Sequence, residues 1–181
     1  MNDTSRIALV TGATRGIGLE TVRQLAQAGV HALLAGRKRA PAVEAPLALQ
    51  ADGVDIIQFD EPAFNVYMKD AADWGVQALE RAAQGLTCTT AVHICYGYGI
   101  KANTDWKSTL GDEWRQYEAV FPALAKSSID QVSLECIHSH VPPDLMKLLA
   151  GKDVMVGVID VASDMVETPE EVADAIGRAL E

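Results

Sequence analysis

Short apolar runs alternate along the chain with stretches in which apolar residues recur every three or four positions. The runs are typical of buried strands, and the recurring stretches are typical of amphipathic helices. The predicted strands are residues 6–10, 30–35, 54–59, 91–95, 131–134 and 154–159. The main predicted helices are residues 17–29, 71–83, 112–125, 143–149 and 169–180. This alternation predicts an α/β fold with parallel strands in about six βα units.

The stretch between residues 38 and 52 departs from this pattern. It is rich in alanine, contains Pro41 and Pro46, and shows only weak periodicity, so we expect a poorly patterned helix or a linker. The charge changes here as well. The residues up to this point carry six Lys or Arg against four Asp or Glu, whereas those after it carry nine against twenty-one. We therefore expect two segments of different origin, residues 1–50 and residues 51–181.

The last predicted helix has the clearest start. Thr168 stands at the N-cap position, Pro169 at the first helical position and Glu171 at the third. A threonine followed three residues later by glutamate is the capping box, in which each side chain satisfies a backbone N–H of the other. The pattern predicts a helix that begins at Pro169.

The composition restricts the possible functions. With 181 residues, 49% of them hydrophobic, the chain can bury one sizeable core. Its net charge of −10 argues against nucleic acid as a partner, because phosphate binding needs a basic surface. No apolar stretch approaches the roughly 18 residues that span a bilayer, and no leader pattern is recognised at the start. We expect a cytoplasmic protein without membrane contact, whose three cysteines form no disulfide framework.

A glycine-rich segment joins the first predicted strand to the first helix. Gly12, Gly16 and Gly18 are spaced as a tight turn beneath a bound pyrophosphate requires. The segment resembles the start of short-chain dehydrogenases, and the resemblance implies a Rossmann-like βαβ unit that binds a dinucleotide. Arg37 follows the second strand where an acidic residue would select NAD, so the implied cofactor is NADP, with Arg15 assisting.

This resemblance covers only about 50 residues. The catalytic Tyr-x-x-x-Lys pair of the dehydrogenases is absent, since each tyrosine of the chain is followed four positions later by a residue other than lysine. Without that pair no tyrosine of lowered pKa serves the substrate oxygen. Dehydrogenase activity is therefore not expected, and the turn is also explained as a plain strand-to-helix connection.

A histidine and a cysteine lie two residues apart at the end of the fourth predicted strand. Side chains two apart on a strand point to the same side, so His93 and Cys95 can face one ligand together. Without further context, such a pair is more often a core histidine and a buried thiol. The motifs around them favour a shared ligand site.

Acidic residues stand at the ends of the two strands that come before and after this one in the sequence. Asp60 and Glu61 follow the third predicted strand, and Glu135 ends the fifth. With the histidine and cysteine pair, they resemble the C-terminal catalytic barrel of cobalamin-independent methionine synthases, over about residues 54–181. The resemblance implies part of a (βα)₈ TIM barrel whose chemistry lies at the carboxyl ends of the strands.

The resemblance also implies a ligand set and an activity. It implies a zinc ion bound by His93, Cys95 and Glu135, with Asp60 near the amino group of homocysteine and Glu61 beside it as a second catalytic candidate. Zinc converts a coordinated thiol into a thiolate, which can accept a methyl group. A mixed N, S and O ligand set with one open position suits catalytic zinc. The implied activity is methyl transfer from a methyl-tetrahydrofolate to homocysteine.

Two departures from the family pattern affect this site. The family's fourth ligand is a cysteine on the last barrel strand, which this sequence does not reach. Ala162 stands where longer members have an active-site histidine two residues after an aspartate. Cys136, His138 and His140 are substitute candidates, but Cys136 would point away from a site that the preceding residue faces.

Six βα units cannot close a barrel of eight, so we expect exposed sheet edges and a possible homodimer. Two alternatives to the methyltransferase interpretation follow from the same residues. One is an NADP-binding protein of short-chain dehydrogenase ancestry, and the other is a non-catalytic fusion.

Overall fold

The computed structural model describes residues 7–11, 16–28, 31–35, 39–96 and 101–180. The strands in these ranges are β1 (Ile7–Thr11), β2 (His31–Ala35), β3 (Ile56–Asp60), β4 (Thr89–Ile94), β5 (Gln131–Glu135) and β6 (Asp153–Gly157). β1 and β2 form a parallel pair in which Ile7 lies opposite His31. The other four strands form a parallel sheet in the order β3-β4-β5-β6. The parallel α/β class predicted from the apolar pattern is confirmed.

The helices in the described ranges vary in length and type. The α-helices are α1 (Gly16–Gln27), α2 (Arg39–Ala51), α3 (Met68–Asp70), α4 (Val76–Ala82), α5 (Lys101–Lys107), α6 (Phe121–Lys126) and α7 (Pro169–Ala179). The 3₁₀ segments are Pro62–Asn65, Gln116–Ala119 and Pro143–Leu149, and a π-helical turn covers Ala71–Gly75. The helix predicted after β5 is thus a 3₁₀ segment, confined between Pro142 and the left-handed Gly151 at φ 88°.

The chain divides into two compact units. Unit 1 comprises Met1–Asp60, Gln77–Val92 and Ser128–Gln131. Unit 2 comprises Glu61–Val76, His93–Ser127 and Val132–Glu181. The units alternate along the sequence because β4 and β5 each begin in unit 1 and end in unit 2. The expected division of the chain into residues 1–50 and 51–181 concerns origin, and it stays a prediction.

Unit 1 has an aliphatic core that explains the weakly patterned stretch. Val22 of α1 and Leu49 of α2 are fully buried together with Ile57 of β3. Burial on α2 stabilises the helix although Pro46 cannot donate a backbone hydrogen bond within it. The helix ends before Gly53, which adopts the left-handed φ of 92°. Of the two expectations for this stretch, the helix is confirmed and the linker is wrong.

Unit 2 packs around aromatic side chains and ends in a well-capped helix. Tyr117 and Phe121 stack with ring centroids 4.9 Å apart, and both are fully buried. At the start of α7, Thr168 Oγ1 accepts from Glu171 N at 3.3 Å, and Glu171 Oε2 accepts from Thr168 N at 2.8 Å. The predicted capping box is confirmed. No helix in the described ranges has the length and apolar character needed to cross a membrane.

Candidate functional site

A cavity of about 490 Å³ lies in unit 2 beside the ends of β4, β5 and β6. Its lining includes one imidazole, one thiol, one phenol, one hydroxyl and one carboxylate, with aliphatic side chains on the remaining walls. The lining residues are His93, Cys95, Tyr96, Ser133, Leu134, Glu135, Met155, Val156, Gly157, Val158, Ile159 and Val161. The three residues predicted as zinc ligands therefore border one cavity.

His93 and Cys95 reach this cavity from β4 and the residue that follows it. Both are half-buried, whereas Ile94 between them is 0% exposed. This alternation is what the two-residue period of a strand produces. The Nδ1 atom of His93 lies 3.1 Å from Ser133 Oγ on β5. The hydroxyl fixes the orientation of the imidazole within the cavity wall.

Glu135 is held in place at the end of β5 by the loop that follows it. Glu135 is only 9% exposed. One of its carboxylate oxygens accepts a hydrogen bond from the backbone N–H of His138 at 2.8 Å, and the other accepts one from the backbone N–H of Ser139 at 3.1 Å. Beside it, β6 approaches closely, because a Cβ atom on Gly157 would lie 2.9 Å from Leu134 O. Glycine is therefore required where β6 meets the end of β5.

The donor set fits zinc in its chemistry. Imidazole nitrogen, thiolate sulfur and carboxylate oxygen are the usual zinc ligands, and a carboxylate with one N–H on each oxygen keeps a lone pair on each for a metal. Metal-binding carboxylates are commonly hydrogen-bonded in this way. In the part of the chain that the structure describes, however, no three His, Cys, Asp or Glu side chains are already close enough to hold an ion together.

The two acidic candidates at the end of β3 belong to different units. Asp60 is the last residue of β3 in unit 1, where Gln58 Nε2 donates to its Oδ1 at 2.9 Å. Glu61 is the first residue of unit 2, and its backbone N–H donates to the carbonyl of His93 at 2.9 Å. Their catalytic roles stay predictions.

The residues predicted to bind NADP are described only in part. Gly16 is the first residue of α1 and Gly18 lies in its first turn. Gly12, Arg15 and Arg37 lie outside the described residues.

The three substitute ligands that follow Glu135 in the sequence lie in different surroundings. Cys136 borders a second cavity of about 320 Å³ in unit 2, together with His140. Burial, with the Glu135 charge second, raises the pKa of the Cys136 thiol to about 12. The prediction that Cys136 points away from the site of Glu135 is confirmed.

His138 instead contacts an acidic side chain on the segment after β6. Its Nδ1 lies 3.2 Å from Asp160 Oδ2, and its ring meets the Tyr96 ring edge-on with centroids 6.3 Å apart. Asp160 is the aspartate that precedes Ala162 by two residues, and Ala162 stands at the position of the family's active-site histidine. The structure pairs this aspartate with His138, which lies 22 residues earlier in the sequence.

These features define a parallel α/β protein with a candidate site at the carboxyl ends of its strands. The catalytic-domain model of the cobalamin-independent synthase family matches residues 9–181. The chain belongs to this family. The match begins well before residue 54, where the resemblance was placed from the sequence, and the short-chain dehydrogenase likeness of the first 50 residues finds no clear support in the comparisons.

Solved and curated relatives agree with this assignment. The structure of a B12-independent methionine synthase from Shewanella sp. W3-18-1 in complex with selenomethionine is similar at a TM-score of 0.80 and 50% identity, covering 92% of this chain and 56% of that one. Methionine synthase of Saccharolobus islandicus (strain L.S.2.15 / Lassen #1) is 34% identical over 131 residues, which are 71% of this chain and 34% of that protein. The Sulfurisphaera tokodaii enzyme is 30% identical over 129 residues. The chain thus spans about a third of the length of these curated relatives.

Proposed function

We propose that the chain carries the zinc and thiol part of a cobalamin-independent methionine synthase and takes part in methyl transfer from a methyl-tetrahydrofolate to homocysteine. The observation that carries this proposal is the single cavity bordered by His93, Cys95 and Glu135. Family membership supports it. So does the Shewanella relative, which binds selenomethionine, the selenium analogue of a methylated homocysteine.

His93, Cys95 and Glu135 are the residues that would hold zinc. Because Nδ1 of His93 contacts the Ser133 hydroxyl, we assign its Nε2 to the metal. The His138 and Ser139 backbone N–H groups hold the carboxylate at the cavity wall. When bound, zinc would supply a substrate thiolate at neutral pH. We assign Asp60 to the amino group of homocysteine, and Glu61 to the same part of the substrate, on the family resemblance alone.

We further propose that the parallel strands form part of a (βα)₈ barrel. The order β3-β4-β5-β6 follows the sequence, as successive barrel strands do. Met155 of β6 and Val161 after it are apolar and largely exposed. We also propose that the chain associates into a homodimer through exposed sheet edges.

The experiment that tests the main proposal combines metal analysis with product formation. Purified full-length chain should hold one zinc per chain and form methionine from homocysteine and a methyl-tetrahydrofolate. His93→Ala and Cys95→Ser should lose both properties. Cys88→Ser is the matched control, because Cys88 is a half-buried thiol of unit 1 and does not border the cavity. Zinc retained by both site variants would contradict the proposal.

NADP binding by the first segment is the second candidate. The parallel β1 and β2 pair, with α1 between the two strands in sequence, favours a βαβ unit. The residues assigned to the dinucleotide are Gly12, Arg15, Gly16, Gly18 and Arg37. NADPH should then fluoresce more strongly in the presence of the chain, and Gly16→Val should abolish the enhancement. An unchanged signal in the variant would contradict this candidate.

A further inference from the structure

Lys107 is a buried lysine of unit 2 that the proposed chemistry does not use. It is the last residue of α5 and is only 2% exposed. Burying an ammonium group costs several kcal/mol unless nearby groups compensate for the lost water. A lysine kept in such a place therefore calls for an explanation in terms of its neighbours.

The ammonium group contacts the chain directly after Cys95. Its Nζ donates to the main-chain oxygen of Tyr96, and to Asn65 Oδ1 at 2.8 Å. The same atom lies 3.6 Å from the centroid of the Tyr96 ring and 4.9 Å from that of Trp114. Two aromatic faces and two neutral oxygens thus surround the charge. Tyr96 is held through both its backbone and its ring, and Tyr96 is part of the cavity wall.

The acidic groups that act electrostatically on the Lys107 ammonium border the same cavity. Burial lowers the pKa of Lys107 to about 8, while the charges of Cys95 and Glu135 oppose that shift. Both of these residues border the cavity, whereas Lys107 lies behind Tyr96 and does not. The arrangement places a positive charge behind the wall of a cavity whose lining includes the Glu135 carboxylate and, among the described residues, neither lysine nor arginine.

We propose that Lys107 is a positioning and specificity residue, which holds Tyr96 in the cavity wall and adds a positive contribution to the potential of the cavity, so that ligands bearing a carboxylate are favoured. The favoured class is a small molecule that carries a carboxylate, such as a zwitterionic amino-acid thiol. The biological meaning of this preference rests on the function proposed above. The experiment that tests the preference is independent of that function, because it requires neither a bound metal nor methyl transfer.

The test compares two alkylating reagents at Cys95 in metal-free, full-length protein. Iodoacetate is anionic and iodoacetamide is neutral, and both react with the same thiolate. The ratio of their rate constants therefore cancels changes in thiol ionisation and in general access, and it reports the local charge. Peptide mass spectrometry follows Cys95, with Cys88 of unit 1 as the internal reference.

Three variants separate charge from structure. Lys107→Met removes charge and hydrogen bonds, Lys107→Gln keeps a donor without charge, and Lys107→Arg keeps the charge. The iodoacetate to iodoacetamide ratio at Cys95 should fall about two- to fivefold in the neutral variants and stay near the wild-type value in Lys107→Arg. The ratio at Cys88 should not change.

An unchanged ratio at Cys95 in a folded neutral variant would overturn the proposal. So would an equal fall at Cys88, or a wild-type Cys95 that reacts with neither reagent. Loss of folding in both neutral variants would overturn it too, in favour of a lysine that serves packing only. A failed methyl-transfer assay beside a fall in the ratio would count against the proposed function and leave the role of Lys107 supported.

Discussion

Two thiols of unit 2 stand beside different cavities. Cys95 shares its cavity with His93 and Glu135, whereas Cys136 borders the second cavity with His140 and aliphatic residues of the last helix. Glu135 and Cys136 are neighbours in sequence, yet they border opposite cavities, because successive strand residues face opposite sides. Each cavity is bordered by one histidine and one cysteine. The first cavity is bordered by a carboxylate as well, so that nitrogen, sulfur and oxygen donors all face it.

The largest expected effect separates these two cavities directly. Glu135→Gln should weaken zinc binding by more than about 100-fold, since loss of a ligand's hydrogen-bond partner alone costs 10–100-fold. Cys136→Ala should leave zinc binding unchanged, because its thiol borders the other cavity and burial raises its pKa to about 12. Competition with a chromophoric chelator measures both affinities. Equal losses in the two variants would show that the second cavity also contributes a ligand.

The strand period made much of the first cavity predictable. His93 and Cys95 at two-residue spacing, and Glu135 facing away from Cys136, follow from alternation along β4 and β5. The same reasoning predicted the capping box at Thr168, because its signature is local in sequence. The helix through Pro46 was harder to predict, since its stability comes from burial of Ala45 and Leu49 in unit 1 rather than from local propensity.

Long-range pairings could not be read from the sequence. Lys107 ends a helical segment, where lysine usually lies in solvent, and nothing local indicates that it is buried against Tyr96. His138 and Asp160 are 22 residues apart and meet only because β6 runs beside β5. The close approach at Gly157 depends on the same pairing. The His138 contact and the Gly157 contact depend on strand order, and the Lys107 contact depends on how α5 packs; the apolar pattern specifies neither.

Gly157 tests the packing of β6 beside the first cavity. A Cβ atom there would lie 2.9 Å from Leu134 O and 3.3 Å from Glu135 Cα, so the strands must separate to accept it. Gly157→Ala should lower the free energy of unfolding by about 1–3 kcal/mol, as overpacking typically does. Gly177→Ala is the control. It has open space in α7 and should stabilise the fold by about 0.5–1 kcal/mol. Urea unfolding measures both, and equal effects would contradict the contact.

A substitution at Thr168 tests whether α7 limits access to the second cavity. Ala175 and Ala179 of α7 border that cavity. Thr168→Ala removes the capping hydrogen bond at the start of this helix and should cost about 1 kcal/mol of stability. Iodoacetamide should then reach Cys136 faster than in the wild type, while the rate at Cys95 stays the same. Faster reaction at both thiols would mean that the two cavities open together.

Asp160 gives the smallest expected effect, and the size of that effect depends on pH. Burial acts to raise its pKa, but hydrogen bonds from the Ala162 backbone and from His138 outweigh it, so the pKa lies below the usual value. A carboxyl with a depressed pKa stabilises the fold above its unfolded value of about 3.9, and that contribution is lost as the pH falls through the folded value.

Asp160→Asn should therefore lower the stability at pH 7 by less than about 1 kcal/mol, since the contact is partly exposed. The difference from the wild type should shrink as the pH is lowered below about 4. Urea midpoints between pH 3 and pH 7 measure it, with Asp164→Asn as the control for a carboxyl on the same segment. A difference that persists undiminished at pH 3 would show that Asp160 acts through packing, because the ionised carboxylate and its contact with His138 would then contribute nothing to stability.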